Sequence, residues 1–219
     1  MNAAASSAFF ASLSPAGTMR MRSGGSTLRA RSCRWAEYLA TYSSAVFWAT
    51  PEAALAEVQE AGFEVVTAGG IFSPDGIDKG TAALLSAVPA PPARGAFLDV
   101  GAGWGPLALT LALASPEAEV TGVEVNERSL ALARDNAAAV GASNARFLTP
   151  EQVPDDARFD LIWSNPPIRI GKPALHALLQ RWLPALNPGG EAWLVVQKNL
   201  GADSLLPWIR TMLEEQAPG

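Results

Sequence analysis

Sulfur and imidazole are nearly missing from this chain: Cys33 is its one cysteine and His176 its one histidine. A single thiol cannot close an intramolecular disulfide, and no Cys/His set able to hold structural zinc can be assembled, so no metal is expected. No apolar run approaches the roughly 20 residues needed to span a bilayer, and the apolar patch at Phe9 and Phe10 has no charged segment before it. A soluble, cytoplasmic protein without a membrane partner is the expectation. Acid is missing from residues 1–36, which carry Arg20, Arg22, Arg29, Arg31 and Arg34 but neither Asp nor Glu. That segment is +5, which leaves −10 on the rest of a chain whose net charge is −5. Such a protein does not coat nucleic acid by overall charge, although a local basic patch is compatible with the balance.

Apolar material is ample: 49% of the 219 residues are hydrophobic, enough for one domain of ordinary size. Residues 1–36, rich in Ser, Ala and Arg, have the composition of an organellar transit peptide, of a disordered tail, or of a start assigned upstream of Met19 or Met21. Arg outnumbering Lys, and the abundance of Ala, favour a GC-rich bacterial gene over the first of these. The segment is expected to be a disordered lead-in. Residues 37–62, with Ala53, Leu55, Val58 and Ala61 on one helical face, are expected to form a helical cap or linker, and residues 63–219 the main domain.

From residue 63 the pattern is regular. "FEVVTAGGIFS" reads as a strand broken by Gly69 and Gly70, and "GTAALLSAV" as a helix. Strand "AFLDV" runs into glycines, and a helix is predicted over 106–114. Then follow strand "EVTGVEV", a helix over 127–140, strands "ARFLT" and "FDLIWSN", a helix over 173–183, strand "EAWLVVQ", and a helix in "GADSLLPWIRTMLEEQ". Strands alternate with helices and tight hairpin turns are missing, which predicts right-handed crossovers and an α/β, doubly wound, mostly parallel sheet.

Ligands of such sheets sit at the carboxyl ends of the strands. There "DVGAGWG" places Asp99 at a strand end and Gly101, Gly103 and Gly105 at alternate positions, so that backbone can pass close to a ligand. Glycines that only permit a tight strand-to-helix turn are the plainer alternative. The spacing differs from the dinucleotide pattern G-x-G-x-x-G, and Pro106 stands where a helix would offer N–H groups to a pyrophosphate. Glu124 ends the next strand, placed for a ribose diol, unless it is only a solvated strand-end acid. Adenosine binding without a pyrophosphate points to S-adenosyl-L-methionine, whose sulfonium and α-amino groups favour acceptors.

"LIWSNPPIRIGK" then has a role. Two prolines after Asn165 fix two φ angles and remove two N–H donors, making a stiff, acceptor-rich loop at a strand end. An amine on an aromatic ring or acyl group is a poor nucleophile because its lone pair is delocalised. Asn165 Oδ1 and the Pro166 carbonyl can accept both of its N–H bonds and aim that lone pair at a methyl carbon, which is catalysis by positioning and preorganisation. A rigid turn with a capping Asn is the structural alternative.

"DVGAGWGPLAL", "VEVN" and "SNPPIRIGK" resemble the small-domain class I methyltransferases, which implies a Rossmann-like fold and methylation of an amino or amide nitrogen. The lead-in "FSPDGIDKGT" and the loop "NPPIRIGK" are similar to those of bacterial 16S ribosomal RNA guanine-N2 methyltransferases, over roughly residues 63–209. The resemblance implies Asp99, Gly101, Ala102 and Gly103 around the cofactor's methionine part, Glu124 on its ribose, and Asp78 and Thr81 near its methionine end. It implies Asn165, Pro166 and Pro167 at the target amine. Arg169, Lys172 and Lys79, helped by Lys198, would meet phosphate of a small-subunit RNA or particle, unless they are solvated surface charges. Ile168, implied on the substrate side, departs from the aromatic version of the motif and cannot stack a base as Phe or Tyr would; Trp104 and Trp163 could stack or be core. Relatives continue into a pair of antiparallel strands where this sequence stops shortly after residue 216, so the expectation is a truncated sequence, or a strand edge covered by the N-terminal segment or by a second chain as in a homodimer. Three functions follow: RNA guanine-N2 methyltransferase, protein N5-glutamine methyltransferase, or an inactive cofactor-binding docking module.

Overall fold

A computed structural model describes residues 8–13, 20–23, 77–167, 171–197 and 202–216. The strand predicted in 63–73 and the cap predicted over 37–62 lie outside the described residues, as do Ile168, Arg169 and Lys198.

Twelve elements position the site: β1 (Ala8–Leu13), β2 (Arg20–Ser23), α1 (Lys79–Ala87), β3 (Ala96–Val100), α2 (Pro106–Ala114), β4 (Glu119–Val123), α3 (Glu127–Ala139), β5 (Ala145–Leu148), β6 (Phe159–Ser164), α4 (Lys172–Trp182), β7 (Leu186–Gln197) and α5 (Ala202–Gln216). The sheet order is β2-β1-β7-β6-β3-β4-β5. β3 to β7 are mutually parallel, and β1 runs antiparallel to both β7 and β2.

Burial explains why the central strands read as continuous apolar runs: β3, β4 and β6 are covered on both faces. Phe97, Leu161 and Trp163 face the layer of α1, α2 and α3, whereas their neighbours Leu98 and Ile162 face α4 and α5. α2, "PLALTLALA", is apolar on all sides and buried from Pro106 through Ala112. Each fully buried leucine there contributes about 1.5–3 kcal/mol. α3 starts on Asn126, whose side chain accepts from the N–H groups of Arg128 and Ser129, with Glu127 in the positive first turn.

Two elements differ from the sequence reading. β7 begins at Leu186 rather than Glu191: Leu186 pairs with Phe159 and Glu191 with Leu161, and the shift of register between them accommodates Pro188-Gly189-Gly190, which by composition reads as a turn. The lead-in expected to be disordered supplies two strands. β1 pairs with β7 from Ala8↔Gln197 to Leu13↔Ala192, so of the coverings expected for the β7 edge it is the N-terminal segment that lies there.

Gly122 in β4 is a packing requirement. A Cβ there would lie 2.6 and 2.7 Å from the Phe147 ring and 3.1 Å from Ala102 Cβ. Gly122→Ala is expected to destabilise the fold by about 1–3 kcal/mol, seen as a melting temperature lowered by about 2–4 °C per kcal/mol. An unchanged melting temperature would mean that the ring moves aside freely.

Candidate functional site

The carboxyl ends of β3, β4 and β6 meet at one cleft. Beyond β3, Gly101, Gly103 and Gly105 all have left-handed backbone, with φ of +80°, +56° and +102°, so the alternate glycines are required by conformation. The loop they form is docked: Gly101 and Ala102 N–H both donate to the Val123 carbonyl at 2.9 Å. Gly103 N–H donates to Glu124 Oε2 at 3.0 Å. The other carboxylate oxygen of Glu124 accepts from Val125 and Asn126 N–H at 2.8 and 2.9 Å. Glu124 thus staples the glycine loop to the start of α3. At Gly103 a Cβ would meet nothing within 4 Å, which leaves this turn open for close approach.

Asp99 lies beneath the loop, fully buried. Its Oδ2 accepts from Ala108 N–H in the first turn of α2 at 2.9 Å, satisfying a donor that a helix start leaves free. Its Oδ1 is buried with no partner in the structure. Burial pushes its pKa up to about 8, against the Ala108 hydrogen bond, which lowers it, and with a smaller upward push from Glu124. Asp99 is therefore mostly protonated at neutral pH in the free protein.

Asn165 follows β6, whose end is tied to β3 by Ser164 Oγ donating to the Val100 carbonyl at 2.6 Å. Pro166 is buried and Pro167 exposed. The Asn-Pro-Pro loop packs on the glycine loop: a Cβ at Gly101 would meet Pro167 Cδ at 3.5 Å. The Asn165 carboxamide Nδ2 donates to both carboxylate oxygens of Asp78 and to Thr81 Oγ1, each at 3.0 Å. Asp78 is the N-cap of α1, its side chain accepting from Gly80 and Thr81 N–H.

The structure therefore gathers most of the residues singled out from sequence. Asp78, Thr81, Asp99, Gly101, Gly103 and Asn165 line one cleft together with Ala102, and Glu124 borders it through Gly103. Lys79 and Lys172 are exposed at the first positions of α1 and α4. Trp104 and Trp163 are core residues, 2% and 1% exposed, and offer no stacking face. His176 stacks on Trp208 at 3.6 Å, between α4 and α5. Among the described residues no His/Cys/Asp/Glu group could hold a metal ion, and no helix is long and apolar enough to cross a membrane.

Three contributors were missed. Asn136, buried in α3, donates from Nδ2 to the Trp104 carbonyl at 3.1 Å and so supports the glycine loop from behind; a polar residue among the alanines of a helix was its signal. Ser164 was read only as strand. Val125, which follows Glu124 in the chain, is a large apolar side chain left 77% exposed.

Comparison with known proteins bears on the family and the fold. The family model described as "Methyltransferase small domain" matches residues 62–216. The uncharacterized protein YbxB of Bacillus subtilis is 33% identical over 156 residues, which are 70% of this chain and 78% of that protein. Ribosomal RNA small subunit methyltransferase C of Salmonella choleraesuis is 34% identical over 163 residues, 73% of this chain and 46% of the relative, so the chain spans about half the length of that enzyme. Among solved structures, a 16S rRNA N2 methyltransferase of T. thermophilus, RsmC, in complex with AdoMet and guanosine, superposes with a TM-score of 0.50 at 31% identity, covering 58% of this chain and 37% of that one. A methyltransferase from Pyrococcus furiosus shares the fold, with a TM-score of 0.54 at 22% identity over 70% of this chain and 78% of its own. With the family match running from the lead-in of α1 through α5, the chain belongs to the methyltransferase small domain family.

Proposed function

We propose that this protein is an S-adenosylmethionine-dependent methyltransferase acting on an exocyclic amino group, guanine N2 of 16S ribosomal RNA. The observation that carries the reading is the packing of the Asn165-Pro166-Pro167 loop directly on the glycine loop, with the Asn165 amide held at the same cleft.

The residues fit the cofactor. Asp99 Oδ1, buried and unpartnered, would accept from a cationic methionine part once Asp99 gives up its proton. Gly101 and Gly103 allow close backbone approach, Glu124 stands where a ribose diol would donate, and exposed Val125 offers an apolar face to an adenine ring. The bound cofactor supplies an electrophilic methyl group on a sulfonium. Asn165 Oδ1 and the Pro166 carbonyl accept the two N–H bonds of the target amine, which localises the nitrogen lone pair and orients it. Preorganised acceptors of this kind act without reorganisation at the moment of reaction.

RNA is favoured over a protein amide by Lys79 and Lys172. Both are exposed at helix N-termini, where a cation is disfavoured by about 0.3–1 kcal/mol, and Lys79 adjoins Asp78, which holds the Asn165 amide, so an anionic ligand would account for positions that helix stability does not. Calorimetric titration with S-adenosylmethionine, followed by tritiated methyl transfer, tests the reading. Label in guanine N2 of undermethylated small-subunit RNA or particles is the expected result. Label in a glutamine side chain of a protein would overturn the substrate, and failure to bind the cofactor would overturn the reading as a whole.

A further inference from the structure

A carboxamide has a weakness as a catalytic acceptor: its oxygen and its NH2 group are nearly the same size, and a half-turn exchanges them. If Asn165 presented Nδ2 to the substrate, two donors would face the two N–H bonds of the amine. The geometry points to Asp78 and Thr81 as positioning residues that lock the Asn165 amide in the productive flip, with Gly80 leaving the space in which it lies. This inference rests on the reading of Asn165 as the group that grips the amine.

The lock follows from donor and acceptor inventory. Both Asp78 oxygens are 3.0 Å from Nδ2, and an ionised carboxylate can only accept, so the atom facing it must be the NH2 group. Thr81 alone would be ambiguous, because a hydroxyl both donates and accepts. Its proton is already committed to Asp78 Oδ2 at 2.6 Å, so toward Nδ2, at 3.0 Å, it too can only accept. Three acceptors thus surround the two amide hydrogens, and Oδ1 is left as the acceptor that the Asn165 side chain offers. Asp78 is itself held by Gly80 N–H at 2.8 Å and Thr81 N–H at 3.4 Å, as the cap of α1. The lock is therefore anchored to a helix and not to a loop.

Gly80 supplies an independent observation. A Cβ at this position would lie 2.8 Å from Asn165 Oδ1 and 3.0 Å from its Nδ2. Glycine inside a helix ordinarily lowers its stability relative to alanine, and here the missing Cβ is what lets the amide lie against the start of α1.

The test uses the full chain and separates positioning from folding and from cofactor binding. Asp78→Asn keeps a good helix cap but replaces an acceptor-only group by one that can also donate, so that the wrong flip is no longer excluded. Measured at saturating S-adenosylmethionine, it is expected to lower kcat by about 10- to 100-fold, the scale of a misplaced reacting group, with the melting temperature and the RNA KM little changed. Thr81→Val is expected to lower kcat by about tenfold, and Thr81→Ser to restore it. Gly80→Ala is expected to hold or raise the melting temperature while lowering kcat. A second readout needs no activity: the Asn165 side-chain NH2 protons, assigned by their loss in Asn165→Ala, should exchange slowly in the wild type and in Thr81→Ser, and rapidly in Thr81→Val. Wild-type kcat in Asp78→Asn and Thr81→Val would overturn the lock, as would a loss that appears wholly in the cofactor Kd, or free exchange of the Asn165 amide in the wild type. Absence of methyl transfer by the wild type to any RNA would instead overturn the function proposed above, leaving the lock to be judged by amide exchange.

Discussion

Asn165→Ala is expected to lower kcat for methyl transfer by about 10²- to 10³-fold, equivalent to about 2.7–4 kcal/mol, while S-adenosylmethionine binding stays within a few-fold of wild type. The variant removes the side-chain acceptor proposed for the target amine and leaves the glycine loop, Asp99 and Glu124 as they are, since the hydrogen bonds that hold them do not involve the Asn165 side chain. The remaining acceptor, the Pro166 carbonyl, can hold one N–H and leave the other free, so the lone pair is no longer aimed. Single-turnover transfer beside calorimetric cofactor binding separates the two effects. Asn165→Asp is the sharper control. It keeps an acceptor oxygen but sets a second carboxylate against Asp78, where the present amide lies at 3.0 Å, so repulsion displaces it and activity falls with the alanine variant. A kcat within tenfold of wild type in Asn165→Ala would remove Asn165 from the chemistry.

The parts of this site legible in the sequence are those written in adjacent residues. Gly101, Gly103 and Gly105 announce left-handed backbone because no other residue adopts it cheaply. Asn165-Pro166-Pro167 announces a stiff end to a strand for an equally local reason. The parallel core was legible because strands buried on both faces must be continuously apolar, as β3, β4 and β6 are. Contacts between distant residues left no such trace. Asp78 and Asn165 are separated by 87 positions, and the bond from Asn136 to the glycine loop crosses 32. Asp78 and Thr81 could be read as cofactor neighbours by resemblance, but their grip on the Asn165 amide appears only once the start of α1 meets the loop after β6. The β1 strand, "AFFASL", alternates poorly and pairs with a strand at the other end of the chain, so neither period nor proximity announced it. In β7, Pro188-Gly189-Gly190 carries turn chemistry that the ladder absorbs as an irregularity.

The second large effect concerns Asp99, whose pKa is pushed by burial from an ordinary 3.8 to about 8. Between those values the folded protein keeps a proton that the unfolded chain releases, so unfolding is favoured progressively as pH rises from about 4 to about 8 and the loss then levels off. At 1.36 kcal/mol for each pH unit, the ceiling on this loss is about 6 kcal/mol. Asp99→Asn has nearly the same shape, still accepts from Ala108 N–H, and cannot ionise. Its melting temperature should match wild type near pH 4 and exceed it by a growing margin toward pH 8. Parallel curves over that range would show that Asp99 is already ionised at neutral pH. The same substitution should harm function where it helps stability. A cation brought beside the unpartnered Oδ1 favours the charged carboxylate, so cofactor binding at pH 7 is expected to release up to one proton in wild type and none in Asp99→Asn. Calorimetry in buffers of different ionisation enthalpy reads that proton directly. Loss of a charge-assisted contact worth about 1.5–3 kcal/mol should weaken cofactor binding in the variant by about 10- to 100-fold. A more stable protein that binds its cofactor more weakly is the signature of a buried acid retained for its ligand, because a residue kept for the fold alone would move stability and binding in the same direction.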